Sequence, residues 1–348
     1  MVYTVDPLMD SRWDDFVAHQ SSASVFHSSA WLRALKRTYR YDPVAFTTSR
    51  PSESLRNAIV FCRIKSWLTG ERIVSVPFSD HCEFLAESDR DVEAILRFLL
   101  EKRVDEGWKY IELRPVIGHA TLETSSPAFY RVNEYCLHLL DLRPSLDNIF
   151  ESLHKDSAQR RIRHAERAGL DYERGNNAKL LKHFYDLFVG TRRHHGLPPQ
   201  PYSWFANLAK CMGDGLQILL ASQNARPLAA VLTLKFKGTA YYKYGASDSR
   251  FHKLAATPFL FWKMIQEAKL AGASYLDLGR SDLSNRGLIA FKGHWTRTRV
   301  PLFYWRFPAP QKTQVRVASE LKFAKQIFAH TPRAVLIATG SLAYRHIG

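Results

Sequence analysis

A short sequence pattern occurs twice in this chain of 348 residues. The first copy is Asp105-Glu-Gly-Trp-Lys-Tyr-Ile-Glu-Leu-Arg114, and the second is Leu270-Ala-Gly-Ala-Ser-Tyr-Leu-Asp-Leu-Gly-Arg280. In both, a predicted helix ends near a glycine, two residues follow, and then an aromatic, an aliphatic, an acidic and an aliphatic residue precede an arginine. Self-similarity over such a distance marks repeated structural units. The pattern therefore predicts two similar domains.

The second copy lies in a segment whose elements can be predicted one by one. The aromatic run Thr239–Gly245 is typical of a half-buried strand that enters a turn. Thr257 directly before Pro258 predicts a helix start, because the threonine oxygen can cap free N–H groups and proline lacks one. Gly272 predicts the end of that helix. A short strand over 274–280 and a polar loop over 281–288 follow.

Length and composition fit a globular protein with two cores, since 46% of the 348 residues are hydrophobic. No run approaches the roughly 20 apolar residues of a membrane span, and Met1–Pro7 lacks the features of a secretory signal. We therefore expect a cytoplasmic protein. The four cysteines are far apart without a C-x-x-C motif, and His194 and His195 point in different directions on a helix, so no metal site is predicted.

The formal net charge is +16 and the pI is near 9.7, which favours anionic partners through long-range attraction. Transfer RNA, a nucleotide sugar, coenzyme A and an anionic membrane all satisfy this charge, and solubility is the alternative explanation. The basic helix Gln159–Gly169 places Arg160, Arg163 and Arg167 on one face. That face is either solvated, with Ile162 and Ala165 turned inward, or it contacts phosphate.

Three stretches resemble the FemABX aminoacyltransferases and their relatives among the GNAT-fold acyltransferases: Ser75–Glu83, Gln159–Gly169, and Asp277–Arg280 with Gly287–Lys292. The resemblance covers most of the chain. It implies an α/β (α+β) fold with two tandem GNAT-like domains, each a mixed β-sheet flanked by helices. We expect the first domain over 1–150, the second over 151–309, and a basic amphipathic helical tail over 310–348.

The resemblance also implies the reaction, because FemABX enzymes use aminoacyl-tRNA to extend a peptidoglycan precursor. We therefore expect an N-acyltransferase that transfers an aminoacyl or acyl group to an amine on a peptidoglycan or exopolysaccharide building block, without a tightly bound cofactor. The alternative donor is acyl-CoA, with an amino sugar or a lipid as acceptor. In the turn Arg250–Ala256, Lys253 replaces a glycine of the usual pyrophosphate-binding turn, which disfavours acyl-CoA. A non-catalytic protein that binds RNA or an anionic glycan is the alternative from another class.

The candidate catalytic residues are Lys292, Asp277, His81 and Asp80. By resemblance, Lys292 in the Phe291-Lys292 pair matches a motif lysine, and a cation there would stabilise negative charge on the carbonyl oxygen in the transition state. Asp277 would orient Arg280 or accept a proton, and His81 beside Asp80 would serve as a general base. The predicted substrate-binding residues are Lys36, Arg114, Tyr244, Arg250, Arg280 and Phe291, of which Lys36, Arg114 and Tyr244 would line, with Asp80, the family's acceptor cleft between domains.

Residues 308–348 form a basic amphipathic stretch. Its apolar positions include Val315, Leu321 and Ile327, and its cations include Lys312 and Lys325. This pattern predicts a helical tail with two alternative positions. The tail either lies on the inner face of a membrane, where lipid-linked acceptors occur, or packs against the second domain.

Overall fold

The computed structural model describes residues 1–116, 122, 128–309 and 325–347. The chain divides into two compact units. Unit 1 comprises Met1–Tyr135, Pro301–Thr313 and Leu342–Gly348, and unit 2 comprises Cys136–Val300 and Gln314–Ser341. The first division lies within a long strand, whereas the sequence places it after residue 150. Part of the predicted tail, 310–324 and 348, lies outside the described residues, and residues 325–347 are divided between the two units.

Unit 1 is a sheet with helices between its strands. Its strands are β1 Tyr3–Val5, β2 Asp42–Thr47, β3 Ile59–Ile64, β4 Arg72–Val74 and β5 Ile111–Leu113, together with the beginning of β6 Tyr130–Asp141 and most of β12 Arg299–Phe307. Its helices are α1 Trp13–His19, α2 Ser29–Tyr39 and α3 Asp89–Glu106, together with the end of α10 Arg333–Ile347. The strands from β1 to β4 are antiparallel neighbours, and β5 is parallel to β4 and antiparallel to β12.

Unit 2 follows the same plan. Its further strands are β7 Asp171–Gly175, β8 Leu216–Gln223, β9 Arg226–Phe236, β10 Thr239–Ser247 and β11 Tyr275–Asp282. Its helices are α4 Leu146–Ser152, α5 Arg160–Arg167, α6 Ala178–His194, α7 Tyr202–Met212, α8 Ala256–Leu270 and α9 Arg286–Gly293, with most of α10. The strands from β7 to β10 are antiparallel neighbours, and β11 is parallel to β10.

The connections of the two units correspond strand by strand. In each, two helices separate the first strand from the second, an antiparallel series follows, and one long helix crosses over to a parallel strand. That crossover helix is α3 in unit 1 and α8 in unit 2. The predicted fold class and its internal repeat are therefore confirmed, because the two repeated sequence patterns occupy the same place after each crossover helix.

Each unit has its own hydrophobic core. In unit 1, α3 buries Val92, Ile95, Leu96 and Leu99 among residues of β2 to β5. In unit 2, α8 buries Leu260, Phe261, Met264 and Ile265, as its spacing predicts. Each such side chain contributes about 1.5–3 kcal/mol when it is fully removed from water.

Two local predictions are wrong, and both errors affect the functional region. Helix α8 begins one residue before Thr257, and its N-cap position is Ala255, whose left-handed backbone provides no capping side chain. The predicted loop over 281–288 is partly helical, because Asn285 accepts a hydrogen bond from the Leu288 N–H and caps α9. Lys292 consequently lies on a helix.

Candidate active site in the second unit

Strands β10 and β11 separate part of the way along their length. Their parallel pairing covers Thr239–Tyr241 against Tyr275–Asp277, although β10 continues to Ser247. Beside the second half of β10, unit 2 contains a cavity of about 490 Å³. Its wall is completed by small residues of β9, the N-terminal end of α8 and one side of α9.

Aromatic rings form one side of this cavity. The centroid of Phe261 on α8 lies 4.9 Å from that of Tyr242, 5.0 Å from that of Phe291 and 4.9 Å from that of Trp295. Tyr242, Phe261 and Phe291 line the cavity directly. The predicted substrate-binding residue Phe291 is thus part of an apolar wall, which suits the carbon chain of an acyl group.

Among the described residues that line this cavity, Tyr242 is the one tyrosine. Burial raises the pKa of Tyr242 to about 12, so the hydroxyl stays protonated and can donate a hydrogen bond. Its position depends on Gly245, since a Cβ atom at Gly245 would lie 2.2 Å from the Tyr242 oxygen. The sequence analysis missed Tyr242 and named Tyr244 instead.

Tyr244 points elsewhere. Its hydroxyl accepts a hydrogen bond from Trp204 Nε1 at 2.9 Å, and its ring packs against Phe188 and Phe205. The reason is an irregularity in the pairing of β10 with β9, which shifts register between Tyr242 and Tyr244. Without it the two rings would share one face of the strand, because side chains alternate with a period of two.

The turn before α8 closes one end of the cavity. A 3-10 segment, Ser249–Leu254, leads into Ala255, whose φ of 56° lies in the left-handed region. The first turn of α8 carries no acidic residue and no side-chain cap, and its residues Ala256 and Thr257 line the cavity. Because helical N–H groups at this end carry partial positive charge, the turn suits an anion.

Arg250, a predicted substrate-binding residue, lies in this turn but is already paired. Its Nε and Nη2 donate to the Asp248 carboxylate at 2.9 and 2.6 Å, and this hydrogen bonding holds the pKa of Asp248 below its usual range. The guanidinium is exposed and lines a separate surface groove. Lys253, which argued against acyl-CoA, is exposed and is not among the residues that line the cavity.

The basic helix α5 packs on the same turn. Arg161 Nη2 donates to the carbonyl of His252 at 3.0 Å, and His164 Nε2 lies 3.1 Å from the carbonyl of Lys253. Arg161 also lines a groove of about 350 Å³ whose other residues are Asp156, Arg160, His164 and Arg167. Arg161 is thus common to the cavity and to the basic groove.

The cationic face of α5 differs in one residue from its prediction. Ile162 and Ala165 are buried as expected. Arg160 and Arg167 lie in the groove, but Arg163 is placed over the ring of Phe150, at 5.2 Å from its centroid. Arg161 and His164 take its place in the groove.

Lys292 lies behind the aromatic wall, because successive helical residues point about 100° apart and Phe291 faces the cavity. Its side chain is 2% exposed, and Nζ donates to the carbonyls of Gly279 and Arg280, both at 2.8 Å. Asp277 Oδ1 accepts the Gly279 N–H at 2.6 Å. Gly279 has a φ of 73°, so these bonds hold an irregular part of β11 in place.

His138 on β6 is a buried residue that the sequence analysis missed. It is fully buried, and among the described residues its Nε2 has no hydrogen-bond partner. Burial, reinforced by the charges of Lys292 and Arg299, lowers the pKa of His138 to about 4. The imidazole is therefore neutral at physiological pH. No alternation of polar and apolar residues in β6 indicates an inward His138, since Cys136, Leu137 and His138 are buried in succession.

The remaining predicted site residues lie in unit 1. Arg114 is buried and makes two hydrogen bonds to Glu112 Oε1, at 2.7 and 3.0 Å. His81 is mostly buried against the edge of Phe26, and the Asp80 carbonyl accepts from the Tyr304 hydroxyl. Lys36 is partly exposed, with Nζ 3.4 Å from Asp42 Oδ1. Of the ten predicted residues, Phe291 is the one that lines the cavity of unit 2 among the described residues. Lys292 follows it on α9 and is hydrogen-bonded to the carbonyl of Arg280, which lies with Asp277 on β11.

Comparison with known proteins agrees with this fold. Residues 153–292 match the model of the acetyltransferase (GNAT) domain. A crystal structure of FemX superposes with a TM-score of 0.70 at 15% identity, covering 89% of this chain and 97% of that one. A tandem GNAT protein from the clavulanic acid biosynthesis pathway superposes with a TM-score of 0.57 at 11% identity, covering 89% of this chain and 99% of that one.

A third solved structure is the C-terminal domain of a putative lysylphosphatidylglycerol synthetase from Agrobacterium fabrum, with a TM-score of 0.56 at 14% identity, covering 94% of this chain and 96% of that one. No curated protein matches the chain by sequence. The domain match confirms the prediction of a GNAT-type acyltransferase, and the solved structures confirm the predicted likeness to FemX in fold.

Proposed function

We propose that this protein transfers an aminoacyl or acyl group from a phosphate-bearing donor to an amine on a cell-envelope precursor. The observation that carries the proposal is the position of Arg161, which lines both the basic groove and the apolar cavity. A donor with an anionic body and a short acyl end would place its phosphates along α5 and its acyl group against Tyr242, Phe261 and Phe291. The cavity, at about 490 Å³, lies within the usual range for ligand pockets.

Aminoacyl-tRNA is the donor that we favour, because the groove residues Arg160, Arg161 and Arg167 form an exposed cationic face that suits a polyanion. Acyl-CoA is the second candidate. The observation in its favour is that Lys253 is not part of the cavity lining, while Ala255, Ala256 and Thr257 provide a turn of small residues at a helix N-terminus.

In the proposed reaction, the acceptor amine attacks the carbonyl carbon of the aminoacyl ester. A C–N bond forms, the C–O bond to the ribose breaks, the amine loses a proton and the ribose oxygen gains one. The protonated Tyr242 hydroxyl is the proposed hydrogen-bond donor to that leaving oxygen. Lys292 is the proposed source of positive charge for the transition state, and its bonds to Gly279 and Arg280 give it the additional role of fixing β11.

The acceptor class is proposed from the names of two similar structures. FemX and the putative lysylphosphatidylglycerol synthetase domain share this fold, and their names suggest cell-envelope chemistry. An amine on a peptidoglycan or exopolysaccharide precursor is the proposed acceptor class. The reaction would take place in the cytoplasm, where aminoacyl-tRNA is available. Asp80, Arg114 and Lys36 remain proposed acceptor-binding residues, and His81 beside Asp80 remains the proposed general base.

The proposal is tested by calorimetric titration of the whole protein with aminoacylated tRNA and with acetyl-CoA at two salt concentrations. We expect saturable, salt-sensitive binding of charged tRNA. Arg161→Ala should weaken it about tenfold and lower the salt dependence by about one phosphate contact. Arg163→Ala is the matched control, because Arg163 lies on the same helix outside the groove.

Tight binding of acetyl-CoA without binding of tRNA would make the second candidate the donor. Equal effects of Arg161→Ala and Arg163→Ala would contradict phosphate binding in the groove, because Arg161 lines the groove and Arg163 does not. Binding of neither donor would reject the proposed function altogether.

A further inference from the structure

The tip of the β3–β4 hairpin in unit 1 presents apolar side chains to solvent. Strands β3 and β4 pair antiparallel up to Ile64 and Arg72, and residues 65–71 connect them. Trp67 is 85% exposed and Leu68 is 62% exposed. Seven of the eight tryptophans are buried, so Trp67 alone leaves its ring in water.

This exposure belongs to an ordered turn. The Gly70 N–H donates to the Ser66 carbonyl at 2.8 Å, and the Ser66 hydroxyl accepts from the N–H groups of Leu68 and Thr69. Because local hydrogen bonds satisfy the backbone of the tip, Trp67 and Leu68 are fixed in an outward position. The core of unit 1 gains nothing from either side chain.

The C-terminal end of α10 supports the hairpin tip. The carbonyl of His346 accepts hydrogen bonds from Thr69 Oγ1 at 3.0 Å and from Arg72 Nη2 at 2.7 Å. The imidazole of His346 packs edge-on against Trp67, with ring centroids 5.5 Å apart. This contact places the neighbouring Ile347, which is 61% exposed, at the same end of unit 1.

Exposed cations accompany these three apolar side chains. Lys65 precedes the turn, Lys109 packs against Gly70, and Arg345 precedes His346. The one acidic residue of the connection is Glu71. Its Oε1 lies 3.8 Å from Lys65 Nζ, so the negative charge of Glu71 is partly neutralised. We define the hairpin patch as Trp67, Leu68 and Ile347 with Lys65, Lys109 and Arg345.

We propose that the hairpin patch binds the surface of an anionic lipid bilayer, with Trp67 and Leu68 inserted at the level of the headgroups. Tryptophan suits that position because its ring is apolar and its N–H is polar. Lysine and arginine beside it attract anionic headgroups, and a few apolar residues combined with basic ones give reversible attachment. No helix in the described ranges is long and apolar enough to cross a bilayer, so this contact is peripheral. The inference is independent of the acyl donor and of the proposed reaction.

The test is co-sedimentation of the whole protein with vesicles of phosphatidylcholine alone and of phosphatidylcholine mixed equally with phosphatidylglycerol. We expect binding to the mixed vesicles that weakens as salt rises, and little binding to the neutral ones. The Trp67→Ala, Leu68→Ala double variant should bind at least about tenfold more weakly. Leu270→Ala is the matched control, because Leu270 is 82% exposed in unit 2.

Fluorescence supplies a second, independent measurement. Brominated lipids quench tryptophans that enter the bilayer, and the other seven tryptophans are buried in the protein. We therefore expect quenching in the wild type and none in Trp67→Phe, which should still sediment with the vesicles. Absence of vesicle binding, unchanged binding of the double variant, or a Trp67-dependent dimer in solution without lipid binding would each overturn the proposal.

Discussion

The two units of this protein share a strand order but differ in the segment that joins the last antiparallel strand to the crossover helix. In unit 1, the segment after β4 returns beside β5, where Cys82 forms a bridge with Arg114. In unit 2, the chain after β10 forms the turn before α8, and this turn is part of the wall of the cavity of about 490 Å³. One topology therefore supports a bridged segment beside β5 in one copy and a cavity in the other.

The N-termini of the two crossover helices, α3 and α8, differ in charge. Helix α3 carries Asp89 and Asp91 in its first turn, which already satisfy its partial positive charge. Helix α8 has no acidic residue there and no capping side chain. An incoming anion would be repelled at α3 and attracted at α8.

The repeated strand shows how one inserted residue changes the chemistry. In unit 1, Glu112 and Arg114 are two positions apart and form a buried ion pair, to which Arg306 adds a hydrogen bond of 2.6 Å. In unit 2, the additional residue Gly279 separates Asp277 from Arg280 by three positions, and the Asp277 carboxylate accepts the Gly279 N–H instead. The first arrangement stabilises its unit, and the second shapes the strand beside the candidate site.

The largest effect is expected from Glu112→Gln. Removing one charge from a buried ion cluster costs about 3–5 kcal/mol, so the free energy of unfolding in urea should fall by about that amount. Donor binding by the folded variant should be unchanged, because Glu112 does not line the cavity of unit 2. Similar stability of wild type and variant would show that the cluster of unit 1 is not structural.

The same pair predicts a dependence on pH. Burial raises the pKa of Glu112, but the charges and hydrogen bonds of Arg114 and Arg306 outweigh it, so the pKa lies below its usual range. The stability from this group is present above the pKa of an unfolded glutamate and is lost as pH falls through the lower, folded-state pKa. Urea unfolding between neutral and acidic pH should show this loss in the wild type and less of it in Glu112→Gln.

Lys292→Met comes next, because it removes the buried cation while keeping the length of the side chain. We expect transfer to fall about 100- to 1,000-fold, because the variant loses both the proposed positive charge near the transition state and the two bonds that hold β11 in place. Lys269→Met is the matched control, since Lys269 Nζ also donates to backbone carbonyls, those of Leu142 and Pro144. If both variants lose transfer and stability equally, Lys292 acts only through the fold.

Thr257→Asp would make the start of α8 resemble that of α3. A carboxylate there should weaken donor binding about tenfold by repelling its phosphates, while helix stability stays the same or rises by about 0.3–1 kcal/mol. Thr257→Asn is the neutral control. Calorimetry with the preferred donor gives the affinity, and unchanged binding by the aspartate variant would place the anion elsewhere.

The smallest effects should separate the two tyrosines of β10. Tyr242→Phe removes the cavity hydroxyl and should slow transfer about tenfold without loss of stability. Tyr244→Phe removes the acceptor for Trp204 Nε1 and should cost about 1 kcal/mol of stability without slowing transfer. Steady-state kinetics and thermal melts of both variants measure these outcomes, and the reversed pattern would contradict the assignment of the cavity.

A good part of the architecture was predictable because it depends on local patterns. The repeated motif, the apolar stripe of α8 and the inward Ile162 and Ala165 of α5 follow from periodicity, which packing preserved. The start of α9 was missed, because the polar residues from Ser281 to Arg286 indicate a loop as readily as the Asn285 cap of a helix.

The sequence by itself determined the repeated units and a cationic α5, because these depend on periodicity and charge, and its resemblance to the FemABX enzymes implied that the units are GNAT-like. Only the tertiary structure decided that Tyr242 enters the cavity and Tyr244 does not, since a register shift of one residue reverses the faces of a strand. It alone brought Arg161 to the carbonyl of His252 and buried Lys292 against Gly279. Contacts between residues distant in sequence depend on how the elements pack, and no local pattern encodes them.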